Sequence, residues 1–503
     1  MFFLANITIL EISDSNFFGH VAKLSWKYLI LVKTNTKFET HMDRRDFLKK
    51  SAVLTAAATV PGMAFAGERQ HIQGNGTSQE GQHIHGNNTA GEASEGDGAE
   101  RKLIDTPPML QNYAATSMGI AFGVSSMANG YVEYSETPDF QDAVRVKCGG
   151  YRVTGMNKDV MQVRLTGLKP ATRYYYRIGA DRIRYNHGYS MHITGNENDP
   201  QTYSFVTAGR KADSHFCVIN DTHGVNDAFA PVVEKLNGIK PSCVIWNGDV
   251  YDRCEDIATQ KAVFMNSPLS AGGVASSVPL LFCPGNHDSR GLANRHLENV
   301  WMFRQPEERL ARDWDLGRNF AVRMGDVALI GLDTAEDKLD ENPLFAGLFN
   351  SGAYREAQAQ WLRDALKRKD IASAPFLVAF CHIPIFCSDP TENPGDVHPN
   401  DSDPSKYSTD FASWQRTCHD LWGPLLHKAG CNLVIAAHTH SYRYDEPAPD
   451  RCWAQMVGGG PNLGGGKSFP TVIEGKVVDR RLIVTAHNVA DGRVAGEYAF
   501  RPR

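Results

Sequence analysis

The sequence predicts a layered α/β domain preceded by a smaller all-β sandwich. Three observations predict it. Between residues 213 and 445, apolar β-rich runs alternate with one-sided helical patterns, as in strands and helices packed in layers. Between residues 105 and 209, short alternating runs are separated by turn-forming residues. Within the α/β part, a polar cluster directly follows each of five apolar runs: Asp221-Thr222-His223, Gly248-Asp249, Gly285-Asn286-His287-Asp288, His382, and His438-Thr439-His440.

The first 104 residues stand apart. Residues 42–66, MDRRDFLKKSAVLTAAATVPGMAFA, place Arg44-Arg45 ahead of a weakly apolar stretch and end on Ala64-Phe65-Ala66. This order resembles a twin-arginine signal peptide cleaved after Ala66, which implies passage through the twin-arginine translocation machinery to a periplasmic or extracellular destination. Such signals begin near the start of a chain, so Met42 is the expected start and residues 1–41 a misassigned extension. Residues 67–104 are rich in Gly, Asn, Ser, Glu and Gln and read as a flexible linker. His71, His83 and His85 lie in it without rigid spacing.

In the region 105–209, alternating runs at 118–124, 130–134 and 161–165 predict strands. The segment Leu165-Thr166-Gly167-Leu168-Lys169-Pro170-Ala171-Thr172-Arg173-Tyr174-Tyr175-Tyr176-Arg177 resembles the LxGLxPxTxYxYR stretch of fibronectin type III-like domains. A length of about 100 residues suits a seven-stranded sandwich. In the region 213–445, buried strands are predicted at 215–220, 242–246, 279–283, 327–332, 376–381 and 432–436. Helices are predicted over 356–369, where Ala359, Trp361, Leu362 and Leu366 make one apolar stripe, and over 411–428. Residues 446–503 return to short strands with glycine-rich turns and are expected to complete the sheet.

Composition excludes several classes. With 52 basic and 57 acidic residues the net charge is −5, which lacks the basic footprint of nucleic-acid binding. No apolar run reaches the roughly 20 residues of a transmembrane helix, and no stable membrane anchor is expected. There are ten cysteines and no CxxC pair. Export permits disulfides, but spacing assigns none. Cys217, Cys243, Cys283, Cys381 and Cys431 fall in or beside apolar runs, as small core hydrophobes do.

The five clusters carry the chemistry. In open α/β sheets ligands bind at the carboxyl ends of strands, so donors far apart in sequence can converge there. A carboxylate can bridge two cations, imidazoles complete the shells without adding negative charge, and an Asn carbonyl is a neutral oxygen donor. The set suits two metal ions such as Fe, Mn or Zn rather than a thiolate zinc site. Two metals about 3.5–4 Å apart activate water and clamp phosphoryl oxygens, which is phosphoester hydrolysis. His287 directly follows Asn286 and is expected to act as general acid, oriented by a hydrogen bond to Asp288.

The ordered clusters resemble the calcineurin-like metallophosphoesterases, whose pattern is DxH…GDxxD…GNH(D/E)…H…GHxH, over about residues 213–445. The resemblance implies a four-layer α/β (α+β) metallophosphoesterase sandwich. The all-β region resembles the N-terminal domain of purple acid phosphatases, and His440-Ser441-Tyr442-Arg443 is similar to that group's HxHxYER continuation. By resemblance, Asp221, His223 and His440 hold one metal, Asp249 bridges, and Asn286, His382 and His438 hold the other. His287 becomes the proton donor. Arg253, in Gly248-Asp249-Val250-Tyr251-Asp252-Arg253, takes the phosphate-contacting place of the GDxxDR arginine.

Two departures qualify the resemblance. Ala437 stands where the family has Gly, which is tolerable unless that position needs a positive φ. Purple acid phosphatases have a Tyr where Asp252 stands and lack the His at position 223, so no tyrosinate–iron colour is expected. Gly458–Lys467 lacks phosphate-loop spacing and reads as a turn near the site. Residues 387–409 form a long polar loop that either shapes substrate choice or is a solvated insertion. His296 and His398 have no spacing that ties them to the pocket. The expected activity is hydrolysis of a small phosphoester, monoesters first. Diesterase, nucleotidase or phospholipase-like activity stays open, as does a non-catalytic cell-surface binding protein.

Overall fold

A computed structural model of the chain describes residues 101–149, 156–224, 226–305, 314–387, 411–463 and 468–503. The expected extension, export signal and linker up to residue 100 lie outside the described residues, as do His398 and residues 388–409 of the polar loop.

The first strands are β1 (Met109–Gln111), β2 (Ser117–Gly123), β3 (Ala128–Ser135), β4 (Val144–Lys147), β5 (Val160–Thr166), β6 (Arg173–His187), β7 (Ser190–Asn198) and β8 (Tyr203–Val206). They are followed by β9 (His215–Ile219), α1 (Phe229–Ile239), β10 (Cys243–Trp246), α2 (Ile257–Met265), β11 (Leu280–Phe282), β12 (Phe320–Met324) and β13 (Val327–Leu332). Then come α3 (Ser351–Ala365), β14 (Phe376–Cys381), α4 (Phe411–Lys428), β15 (Leu433–Ala436), β16 (Arg443–Asp445) and β17 (Ala454–Val457). The chain ends with β18 (Thr471–Val478), β19 (Arg481–Asn488) and β20 (Val494–Phe500).

Among the described residues these strands form three sheets. One holds β20-β19-β18-β9-β10-β11-β1-β2-β5, a second β12-β13-β14-β15-β17-β16, and a third β4-β3-β6-β7 with β8 on β6. The strands β9, β10 and β11 run parallel, as do β13, β14, β15 and β17. Parallel strands are buried on both faces, which is why they read as continuous apolar runs.

Side-chain alternation builds four layers. Phe216, Val218 and Ile245 meet Leu329, Val378, Phe380 and Ile435 between the two large sheets. Their neighbours Cys217, Ile219, Val244 and Trp246 turn to the other face, under Phe229, Val233 and Phe264 of α1 and α2. On the far side, Ile330, Leu377 and Val434 pack under Leu362 of α3 and Trp414 and Trp422 of α4. The arrangement is helix, sheet, sheet, helix. The expected helix 356–369 begins earlier, at Ser351, and closes at Ala365 before a separate turn at Lys369–Ala372.

The N-terminal strands form the expected β-sandwich, and one of its two sheets runs on into the α/β part. Strands β1, β2 and β5 continue the large sheet, joined where β1 pairs in parallel with β11 at Gln111 and Leu280. Asn112 N–H donates to Leu280 O at 2.8 Å. Buried Gln111 seals the join, donating Nε2 to Val300 O at 2.9 Å and accepting from Met302 N at 3.1 Å. No helix among the described residues is long and apolar enough to cross a membrane.

Candidate metal centre

Strand placement assembles the site. Asp221 and His223 follow β9, Asp249 follows β10, Asn286 and His287 follow β11, His382 follows β14, and His438 and His440 follow β15. The chain turns sharply at these ends. Asp221, His223, Asp249, His438 and His440 all have left-handed backbones, with φ of 47°, 45°, 50°, 69° and 55°. Each such residue is disfavoured by about 1–2 kcal/mol, and strain of this kind collects at functional sites. Ala437 is not among the left-handed residues, so alanine is compatible with the turn that His438 makes instead. Gly248 is different. Its φ is +81°, and a Cβ there would run into the His382 ring and Gly285.

All seven expected metal donors come together. Asp221, His223 and His440 offer ligand atoms within 4.8 Å of one another, and so do Asp249, His382 and His438. The two groups abut. His440 Nε2 is 3.2 Å from Asp221 Oδ1, His382 Nε2 is 3.1 Å from Asp249 Oδ2 and 3.8 Å from Asp221 Oδ1, and His223 Nε2 is 3.9 Å from Asp249 Oδ2. The Nε2 atoms of His223 and His440 face each other at 3.0 Å. Asn286 Oδ1 lies 2.9 Å from His438 Nδ1.

Outer partners aim the rings. His382 Nδ1 donates to Asn247 O at 2.9 Å, which turns the Nε2 lone pair inward. His223 Nδ1 is fixed by Asp252 Oδ1 at 2.7 Å, so the two positions that depart from purple acid phosphatases are bonded to each other. Asp221 Oδ2 accepts from Asn220 Nδ2 at 2.7 Å, and Asn220 also donates to Gly459 O. Asp221 Oδ1 and His382 Nε2 are buried and, among the described residues, meet no partner in hydrogen-bonding geometry. Buried polar atoms are normally paired, so this convergent pair fits a cation.

The electrostatics agree. Burial disfavours a charged His382, but the carboxylates of Asp249 and Asp221 outweigh it and raise the imidazole to about 10. Burial would raise both carboxyls, yet His382 holds Asp249 and Asp221 below the usual range, with His440 adding to the effect on Asp221. Burial, followed by the charge on His382, pushes His438 down to about 4. The protein thus demands positive charge between two buried carboxylates, the role a bound metal ion takes over.

Around His287 the expectations need correction. Its Nδ1 donates to Asp252 O at 2.7 Å, not to Asp288. The buried Asp288 carboxylate instead accepts from the backbone N–H groups of Asp249, Val250 and Gly285 at 2.9, 3.0 and 2.8 Å. Three main-chain donors converge on it, so it clamps the turns after β10 and β11 together and has no reason to reach the imidazole. Burial, then the nearby Asp249, raises Asp288 to about 7. His287 Nε2 lies 3.9 Å from Asp249 Oδ2. Burial lowers its pKa, with Asp249 opposing and Arg290 reinforcing the shift. Arg253 is exposed, and among the described residues no hydrogen bond or ion pair ties it to the site. Arg290 takes the inner place, with Nη1 at 3.0 Å from His287 Nε2. Sequence reasoning missed Arg290, Asn247 and Asn220, and singled out Asp252 without its bond to His223. Only their closeness in sequence to the motifs could have flagged them.

The other candidates sort by distance. Gly460 packs on His440, so the glycine-rich turn adjoins the site, while residues 464–467 lie outside the described ones. His296 lines a separate cavity of about 580 Å³ with Cys148, Asp159 and Gln162.

Comparison with known proteins matches two families along the chain. Residues 214–442 match the calcineurin-like phosphoesterase family, and residues 109–207 match the purple acid phosphatase N-terminal domain. The probable purple acid phosphatase 20 of Arabidopsis thaliana is 24% identical over 314 residues, covering 59% of this chain and 60% of that relative. The chain therefore spans less than two thirds of that relative's length. The solved structure of PhoD superposes with a TM-score of 0.55 at 12% identity, covering 80% of this chain and 92% of the other. The purple acid phosphatase PPD1 from yellow lupin (Lupinus luteus) seeds gives 0.52 at 14% identity, covering 78% and 73%. At such identities the structural likeness is one of fold.

Proposed function

We propose that this chain, which joins a calcineurin-like phosphoesterase domain to a purple acid phosphatase N-terminal domain, is an exported dinuclear-metal phosphohydrolase that favours phosphomonoesters. The observation that carries the reading is the pair of abutting donor groups with Asp221 Oδ1 and His382 Nε2 buried and unpartnered between them. Asp221, His223 and His440 would hold one ion, Asn286, His382 and His438 the other, with Asp249 shared. The donors are oxygen and imidazole nitrogen without thiolate, which suits Fe, Mn or Zn. When bound, the pair supplies Lewis acidity, lowering the pKa of a water and neutralising phosphoryl oxygens.

The chain's own residues do the rest. Asn247 and Asp252 hold the His382 and His223 rings in their ligating tautomers. Asp252 O fixes His287 Nδ1–H, so Nε2 is the atom through which a proton would pass to the leaving oxygen once Arg290 Nη1, which faces it at 3.0 Å, turns to substrate. Asp288 acts on the backbone, keeping Asp249 and Asn286 in register. With Asp252 bonded to His223 in the place of a tyrosine, the metal-loaded protein should be colourless. Export rests on residues 42–66, and a mature N-terminus following Ala66 is the expected result of sequencing the secreted protein.

The test is metal content together with turnover of p-nitrophenyl phosphate and bis-p-nitrophenyl phosphate. Two metals per chain and faster monoester turnover are expected. Fewer than one metal and no turnover of either ester would return the chain to the binding-protein class.

A further inference from the structure

Beside the metal donors lies a run of buried charge that metal binding does not use. Glu336, Asp337 and Lys338 follow one another after β13, and their side chains are 1%, 6% and 1% exposed. Arg290 reaches into this run from the turn after β11. Its Nε donates to Glu336 Oε1 at 2.6 Å and its Nη2 to Glu336 Oε2 at 3.1 Å, a two-pronged clasp. Lys338 Nζ sits 3.4 Å from the same Oε2 and contacts Asp337 Oδ1. Asp337 Oδ2 is 3.7 Å from His438 Nε2, and Arg355 donates to Glu336 O at 2.7 Å.

Stability does not explain the run. Desolvating several charges costs about as much as their pairing returns, and apolar residues of the same size would often serve as well. Geometry gives another reason. Because Glu336 fixes the guanidinium plane through Nε and Nη2, Nη1 is aimed at His287 Nε2, 3.0 Å away, on the side facing Asp249. Lys338 shares the Glu336 oxygen that Arg290 uses, and Asp337 Oδ1 lies 4.0 Å from Arg290 Nη2, so two cations and two carboxylates hold one another in place. A planar guanidinium held rigidly beside the metal donors matches the oxygens of a phosphoryl group.

We propose that Arg290 is the phosphoryl-oxygen clamp of this site, that Glu336 is the positioning residue that aims it, and that the pair selects dianionic monoesters over monoanionic diesters. This rests on the hydrolase reading above. The extra negative charge of a monoester is what an added guanidinium rewards, while a diester presents an esterified oxygen there.

The experiment compares metal-loaded wild type with Arg290→Ala, Arg290→Lys and Glu336→Gln on p-nitrophenyl phosphate and bis-p-nitrophenyl phosphate. Calorimetric binding of inorganic phosphate is measured beside it. Arg290→Ala should lose roughly 10- to 100-fold in kcat/KM for the monoester, the size of one hydrogen bond to a charged group. Its diester activity should fall less than threefold, and its phosphate affinity should fall with the monoester term. Glu336→Gln should lower monoester kcat/KM in the same sense with metal content unchanged. Equal losses on both esters, or unchanged phosphate affinity in Arg290→Ala, would overturn the proposal. If Arg290→Ala fails to fold by circular dichroism, the ester ratio of Arg290→Lys decides. A wild type that holds two metals yet turns over neither ester sinks the hydrolase reading itself, and phosphate affinity then still tells whether Arg290 binds the anion.

Discussion

The two halves of the metal centre differ in depth. In the half formed by Asp249, His382 and His438, the His382 side chain is fully buried and held by a backbone carbonyl. In the half formed by Asp221, His223 and His440, the His440 side chain is 36% exposed, and His223 is held by Asp252, whose carboxylate is 74% exposed. A ring fixed by the main chain of a sheet moves only if the sheet moves. A ring fixed by an exposed carboxylate depends on a flexible side chain in competition with water. The His382 ring is therefore preorganised by the fold, whereas the His223 ring of the shallow half depends on one replaceable contact, even though Asn220 fixes its neighbour Asp221.

The largest test breaks both halves together. Asp249 is the donor proposed to be shared between them, so Asp249→Ala should abolish occupancy of both ions and lower turnover at least about 1000-fold, the scale set by losing a central electrostatic group. Metal analysis and p-nitrophenyl phosphate kinetics check it, and full activity would end the bridging role.

Gly248→Ala attacks the deep half first. The added Cβ meets the His382 ring at a residue whose φ is already +81°. Overpacking of this kind costs about 1–3 kcal/mol. Thermal unfolding should fall accordingly, and occupancy should drop to the shallow ion. A variant with both ions and wild-type stability would show that the close approach of His382 is not needed.

Asp252→Asn attacks the shallow half. An amide can still meet His223 Nδ1 but no longer stabilises its N–H with a charge, and outer partners of ligating histidines are worth about 10- to 100-fold in metal affinity or activity. One ion should leave at lower chelator concentration while the other stays. A single-phase loss in wild type and variant alike would remove the distinction between the halves.

These differences mark what the sequence could and could not reveal. The convergence of the seven residues was legible because each sits one to four residues past an apolar strand, a local pattern that the sheet then gathers. The layers were legible for the same reason. The partners that aim the donors were not. Asp252 reaches His223 across 29 positions, and Glu336 reaches Arg290 across 46, through single contacts with no repeat to betray them. Asp288 looked like the natural partner of His287 because it is adjacent, yet a residue beside another on a tight 3₁₀ turn points elsewhere, here into three backbone N–H groups. The join of β1 to β11 was hidden likewise, because one parallel pairing of three-residue strands leaves no periodic trace.

The smallest expected effect separates the two arginines on which motif and structure disagree. Arg253 occupies the motif position but is exposed, whereas Arg290 is clasped by a buried carboxylate against His287. An exposed cation near the mouth is screened by water and salt, and steers an anionic substrate more than it binds it. Arg253→Ala should therefore lower monoester kcat/KM by less than about threefold, with the loss shrinking as salt rises, since the Debye length falls from about 30 Å at 0.01 M to about 8 Å at 0.15 M. The Arg290→Ala loss should persist at both ionic strengths, because its clasp is largely closed to solvent. A larger, salt-independent loss in Arg253→Ala would mean that the turn after Asp249 closes over the substrate and brings this side chain inward.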